Sequence, residues 1–240
     1  MFQSHAHDSM HGLGPKTLAD GEVSRLEQAG IIAKGLERKG LENITKEINT
    51  SKVSDTEYFL SVHNPSSFAR SEIVEAYVDV PRDIILKYIV IEDMDGNVMP
   101  SQITYDGKLA FFAADVPAKG YKTFRIVDSA VESADSVKSG NNEFSNDYYT
   151  VKFDGNMNIA SYYDKSADRC VSKENDVLGR LIAYEDRPHN HEAWDIKCYY
   201  GEKYWNIDNV DNSEIVEHGA VRTVLKVDRT FNKSHITQYY

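Results

Sequence analysis

The chain has 240 residues and a mass of 27.2 kDa, enough for one to two domains at about 150 residues each. Hydrophobic residues are 41% and charged residues 27%, as expected of a globular protein with a real core. The net charge of -11 argues against nucleic acid or anionic lipid as a partner, since both need a concentrated positive surface.

The first residues, Met1 to Asp8, lack the basic and apolar regions of a secretory signal. No apolar run approaches the roughly 18 residues of a membrane span. After Pro15, which suits a first helical turn, Leu26, Ala29, Ala33 and Leu36 repeat at 3-4-3 spacing. Leu41, Ile44 and Ile48 continue the stripe. This predicts one long helix, with a break near Gly40 as a variant, because each internal glycine costs about 1 kcal/mol relative to Ala. A lone amphipathic helix must bury its stripe against something, and a second copy of the chain is one way to do so.

From Thr56 the period changes to two. Tyr58–Val62, Ile73–Val78, Ile84–Ile91, Leu109–Ala113 and Tyr121–Val127 read as strands, with turns at Asp95-Gly96-Asn97 and Asp106-Gly107. Short strands at this spacing predict a β-sandwich. Residues 128–142 read as a linker. A second β region follows, with a hairpin from Tyr148–Phe153 through Asp154-Gly155-Asn156 to Ile159–Tyr163, and alternation over Glu214–Val227 and Thr230–Tyr240. The reading is therefore an α+β, mainly β chain. It has a helical segment over 1–50, a small β-sandwich over 56–128 and the first part of a larger β domain over 141–240.

Two clusters could carry chemistry. The first is His5, His7, Asp8 and His11. His7 and His11, four apart, could share a helical face and bind zinc, as in the His-Glu-x-x-His of zinc peptidases. Gly12 and Gly14-Pro15 would end that helix at once, and a solvated amino terminus explains the same residues. The second runs from Tyr184 to Asp195 and holds Glu185, Asp186, His189, His191, Glu192 and Trp194. Such a set suits a sugar, with Trp stacking on the ring and carboxylates holding hydroxyls; an ordinary long loop is the plainer reading. His63, His218 and His235 sit in strand patterns and read as structural, and Asp147 and Asp164 as turn residues. Cys170 and Cys198 have no metal spacing and are too few for a disulfide framework, which fits a cytoplasmic protein.

Four segments in sequence resemble glycoside hydrolase family 38 α-mannosidases. Ser4 to Gly12 is similar to the family's His-x-His-Asp-[Ser/Ala]-[Ile/Met]-x-Gly segment. His63-Asn64-Pro65 is similar to the Asn-Pro turn that opens its small β-sandwich. Asn142-Glu143-Phe144 through Phe153, with Ile159–Lys165, resembles the first hairpin of its large C-terminal β domain. Tyr184–Pro188 with Glu192-Ala193-Trp194-Asp195-Ile196 resembles the Asp-x-Pro…Asp-Ala-Trp-Asp segment of its cytosolic-type branch.

The resemblance implies that the long helix is part of a three-helix bundle, that His7 is a zinc ligand and that Asp8 contacts sugar hydroxyls. It implies a retaining exo-α-mannosidase acting on terminal mannosides, with two carboxylates about 5 Å apart as nucleophile and acid/base. Both carboxylates, and the remaining metal ligands, belong to the family's N-terminal barrel, which has no counterpart in this chain. The chain is therefore expected to be a middle-to-C-terminal fragment, inactive alone and dependent on that barrel. Other readings are a non-catalytic carbohydrate-binding or interaction module and a small zinc hydrolase built on His7 and His11.

Overall fold

The computed structural model describes residues 2–12, 14–49, 51, 58–78, 89–128, 138–140, 142–173, 176–191 and 195–240. The described chain falls into two compact units, Met1–Thr56 and Glu57–Tyr240.

The first unit holds a 3-10 turn at Phe2–His5, a one-turn helix α1 (His7–Met10) and the helix α2 (Lys16–Lys46). α2 runs unbroken for 31 residues through Gly35 and Gly40, so the break near Gly40 does not occur. Once a helix is nucleated, each further residue adds a bond, and even its four internal glycines, Gly21, Gly30, Gly35 and Gly40, do not interrupt it. Exposed Lys16–Asp20 and Arg38–Glu42 pairs at i, i+4 add a few tenths of a kcal/mol each. No residue of α2 is buried, and Leu18, Leu26, Leu36 and Ile44 are all exposed.

The second unit begins with a β-sandwich. One sheet has the order β1-β7-β3-β4, from β1 (Tyr58–Asn64), β3 (Ile89–Asp93), β4 (Val98–Met99) and β7 (Gly120–Asp128). The other has the order β2-β6-β5, from β2 (Arg70–Ala76), β5 (Ser101–Ile103) and β6 (Leu109–Val116). Alternate residues face inward and meet between the sheets: Ile91 and Phe124 from one, Leu109, Phe111 and Ala113 from the other. The Phe111 and Phe124 rings pack edge to face at 5.1 Å, a favourable arrangement of the two quadrupoles. At the sandwich's end, the buried Asn64 amide donates to the carbonyls of Phe68, Val116 and Pro117 and accepts from the Ser66 N–H. The Asn-Pro segment is thus a fully satisfied corner.

Three sheets follow. One has the order β12-β11-β10-β9-β8, from β8 (Lys138–Gly140), β9 (Glu143–Ser145), β10 (Tyr149–Phe153), β11 (Ile159–Asp164) and β12 (Arg169–Cys170). β13 (Ile182–Tyr184) pairs with β14 (Tyr204–Asn206). β15 (Asn212–Glu217), β16 (Val224–Phe231) and β17 (Ser234–Tyr239) form an antiparallel meander. Phe153, Leu225 and Val227 form a second core, with Phe144, Val151, Ile159 and Tyr240 around it.

Several boundaries differ from the sequence reading. Lys138–Gly140, within the expected linker, is a strand because it pairs with β9. The alternating run Glu214–Val227 is two strands, since a turn separates Glu217 from Val224. Residues 84–88 of the expected Ile84–Ile91 strand, and most of the 128–142 segment, lie outside the described residues.

The two Asp-containing hairpin turns share one design. Asp93 Oδ1 accepts from the N–H groups of Asp95 and Asn97, and its Oδ2 from the Asn97 amide, all at 2.9 Å. Asp154 does the same with Asn156 and Asn158. The fourth residue of each motif has positive φ: Gly96 at 86° and Met157 at 56°. Gly155 therefore does not fill the left-handed position, and Met157 takes that cost, about 1 kcal/mol, instead. The Asn97 contacts, then the Asp95 N–H, hold Asp93 below the usual carboxylate range. A depressed carboxyl pKa adds stability above the unfolded value, about 3.9, which is lost as pH falls through the folded value. We expect the melting temperature to hold from pH 7 to 5 and to drop below about pH 4. Asp93→Asn should lower it at pH 7 and flatten that acid limb, because the new amide would face the Asn97 amide donor to donor. Thermal melts against pH check this.

Candidate functional site

His7 and Asp8 lie on α1, where Ala6 and Gly12 bound a single turn. Both side chains are open to solvent, 77% and 70% exposed, with His7 Nε2 3.1 Å from Asp8 Oδ1. Beneath this turn, the Glu22 carboxylate of α2 is ion-paired with Arg25 and lies beside the Ser4 and Ser9 hydroxyls. Arg25 first, then Ser4, hold Glu22 below the usual carboxylate range. Ser4 and Ser9 bracket His7 and Asp8, so the short turn meets the long helix here, while the His7 and Asp8 side chains are solvated as the plainer sequence reading expects.

His11 caps α1, and its ring meets that of His7 edge-on with centroids 6.3 Å apart. Among the described residues, no three His, Cys, Asp or Glu side chains converge as a metal would require. The donors at His7 and Asp8 fit zinc only as part of a larger set: they can give one ligand, or two if Asp8 turns to the metal. That geometry does not favour a self-sufficient zinc hydrolase on His7 and His11.

In the second unit, part of the Tyr184–Asp195 cluster takes shape. Tyr184 stands opposite Tyr204 across β13 and β14, and the Tyr200 ring packs edge-on against it at 5.1 Å. Beyond the strand ends the ladder continues, with the Glu185 N–H donating to the Lys203 carbonyl. The Glu185 carboxylate accepts from Lys203 Nζ at 2.7 Å and Arg187 at 2.8 Å, and Lys203 first, then Arg187, hold its pKa below the usual range. Asp195 pairs instead with Lys197. Glu192, Ala193 and Trp194 lie outside the described residues. His63 bonds Ser61 within β1, Asp164 caps its own turn through Ser166 and Ala167, and Cys170 and Cys198 are exposed thiols.

Sequence reasoning passed over Trp205, Lys203 and Arg229. Trp205 and Lys203 join Glu185 only through strand pairing across about twenty residues. Arg229, only 1% exposed, looked like any charge on an alternating strand.

Comparison with known proteins bears on these sheets directly. Residues 144–240 match the profile described as "Glycosyl hydrolases family 38 C-terminal domain". This segment of the chain is similar to a family 38 C-terminal domain. It takes in all of β10 to β17 and so the second core. Alpha-mannosidase G of Dictyostelium discoideum is 28% identical over 188 residues, covering 70% of this chain and 16% of that protein. An α-mannosidase from Enterococcus faecalis V583 superposes with a TM-score of 0.70 at 16% identity, over 95% of this chain and 29% of that one. A family 38 protein from Enterococcus faecalis gives 0.68 at 18% identity, over 95% and 31%. At these identities the two structures speak for the fold, and they extend it beyond the family 38 domain to nearly the whole chain. The chain spans less than a third of each of these relatives.

Proposed function

We propose that this chain is the helical and C-terminal part of a zinc-dependent, retaining exo-α-mannosidase. The observation that carries the reading is the family 38 match over the second β region, joined to an exposed His7-Asp8 pair in the first unit. In this reading His7 gives a zinc ion one nitrogen ligand and Asp8 accepts hydroxyls of the terminal mannose. Zinc, when bound, would hold vicinal hydroxyls of the sugar and favour a distorted ring. Ser4, Ser9 and Glu22 set the turn that presents the two side chains. A catalytic zinc needs about three protein ligands, and in this reading the remaining ligands, the nucleophile and the acid/base belong to a separate barrel domain.

The chain alone, with zinc and p-nitrophenyl α-mannoside, is expected to give no turnover above blank. The chain joined to a family 38 barrel should turn the substrate over, and His7→Ala there should cost at least about 100-fold, or 2.7 kcal/mol of barrier. Steady-state release of p-nitrophenol measures both.

A further inference from the structure

We propose that the face of β13 and β14 bearing Trp205 is a second carbohydrate-binding site, a platform for one hexopyranose ring built from residues of the second unit alone. The register Ala183↔Trp205 places the indole opposite the smallest side chain of its partner strand, so nothing large from β13 covers it. Trp205 is 42% exposed, unusual for the largest apolar side chain. Phe231 of β16 abuts it, with ring centroids 6.4 Å apart, and supports the ring from within the fold.

Hydrogen-bonding groups stand around the indole. Lys203, two residues before Trp205, holds its Nζ over the indole ring, 5.0 Å from the centroid, so a stacking pyranose must displace this flexible ammonium or share the ring with it. The same Nζ donates to Glu185, which also accepts from Arg187. A carboxylate flanked by an ammonium and a guanidinium offers acceptors and donors together, side by side. Vicinal hydroxyls of a pyranose, each both donor and acceptor, match that pattern, and the ring's C–H face matches the indole. The two cations are largely exposed and can turn toward sugar hydroxyls, while the Glu185 side chain, 24% exposed, stays as a fixed acceptor. The choice of mannose among hexoses rests on the mannosidase reading; the platform and its polar edge do not.

The test is fluorescence titration of the 240-residue chain with methyl α-D-mannopyranoside. The sequence has two tryptophans, so Trp194→Phe leaves Trp205 as sole reporter. A saturable change is expected, with half-saturation on the order of 1–10 mM, the range for one ring held at an open surface. In saturation-transfer NMR, Trp205→Ala should abolish binding, and Glu185→Gln should weaken it about fivefold. Both variants should melt somewhat lower, since Trp205 packs on Phe231 and Glu185 holds two ion pairs, and circular dichroism at the titration temperature shows that each remains folded. No saturable change up to about 50 mM, or undiminished binding by folded Trp205→Ala, overturns the proposal. Binding of glucoside as tightly as mannoside would keep the platform and count against the mannosidase-based choice of sugar. None of these readouts needs zinc or turnover, so their failure is distinct from failure of the mannosidase reading.

Discussion

Arg229→Ala is expected to lower the unfolding free energy by about 3–5 kcal/mol, the largest loss for any single side chain of this chain. Arg229 is 1% exposed and the bulkiest fully buried side chain among the described residues. Among the described residues its guanidinium bonds a side-chain amide and backbone carbonyls. Nε donates to Gln238 at 2.7 Å, one terminal nitrogen to the Asn209 carbonyl at 2.9 Å and the other to the Asn156 carbonyl at 2.7 Å. One guanidinium thus joins β16, β17, the loop leading into β15 and the Asp154 turn. Truncation would leave these acceptors without a donor, at about 1–3 kcal/mol for each one left dry, and open a cavity. Arg229→Lys keeps the charge but not the planar fork, and should recover less than half of the loss. Arg229→Met refills the volume without donors and should fall between Ala and the parent. Urea unfolding separates these cases; a loss under about 1 kcal/mol for Arg229→Ala would show that the acceptors find water instead.

The second large effect is expected at Glu217, whose side chain is 1% exposed. Its carboxylate accepts from Arg222 Nε at 2.8 Å, from the Gln102 amide at 2.6 Å and from the Tyr105 N–H at 3.1 Å. Gln102 in turn accepts from the N–H groups of Val221 and Arg222, and Arg222 also pairs with Glu75 of β2. The network therefore ties the first sandwich to the 218–223 turn. Glu217→Ala would strand three donors, one of them charged, and should cost about 2–4 kcal/mol. The turn passes so close that a Cβ at Gly219 would lie 2.8 Å from Gln102 Oε1. Gly219→Ala must push that amide off the two N–H groups it satisfies, and should reproduce part of the Glu217 loss. If the double variant loses no less than the sum of the single ones, the residues do not act as one network.

The architecture was legible where one face of an element is buried. The period-two runs over Leu109–Ala113 and Tyr121–Val127 mark β6 and β7 because their inward residues fill the first core. The 3-4 spacing of Leu26 to Ile44 marks α2 as well, although none of its residues is buried. The two- and three-residue strands β4, β5 and β12 to β14 left no such pattern, since they are too short to show a period and are set by their partners. Glu214–Val227 misled for a different reason. Its alternation is real, but Gln102, more than a hundred residues earlier, takes the N–H groups of Val221 and Arg222 and turns the chain there. His7 and Asp8 could be read as a local motif. The Trp205 platform could not, because it depends on the β13–β14 register. Trp194, which the sequence offers as a stacking residue beside the plainer reading of an ordinary loop, lies outside the described residues.

One assay bears most directly on whether an imidazole of the first unit serves an α-mannosidase centre made partly elsewhere. It compares p-nitrophenyl α-mannoside turnover, with zinc, for this chain alone, for the chain joined to a family 38 barrel, and for the joined protein carrying His7→Ala. The expected result is silence, turnover and near-silence in that order. Turnover by the 240 residues alone, or an unimpaired His7→Ala protein, would contradict the account.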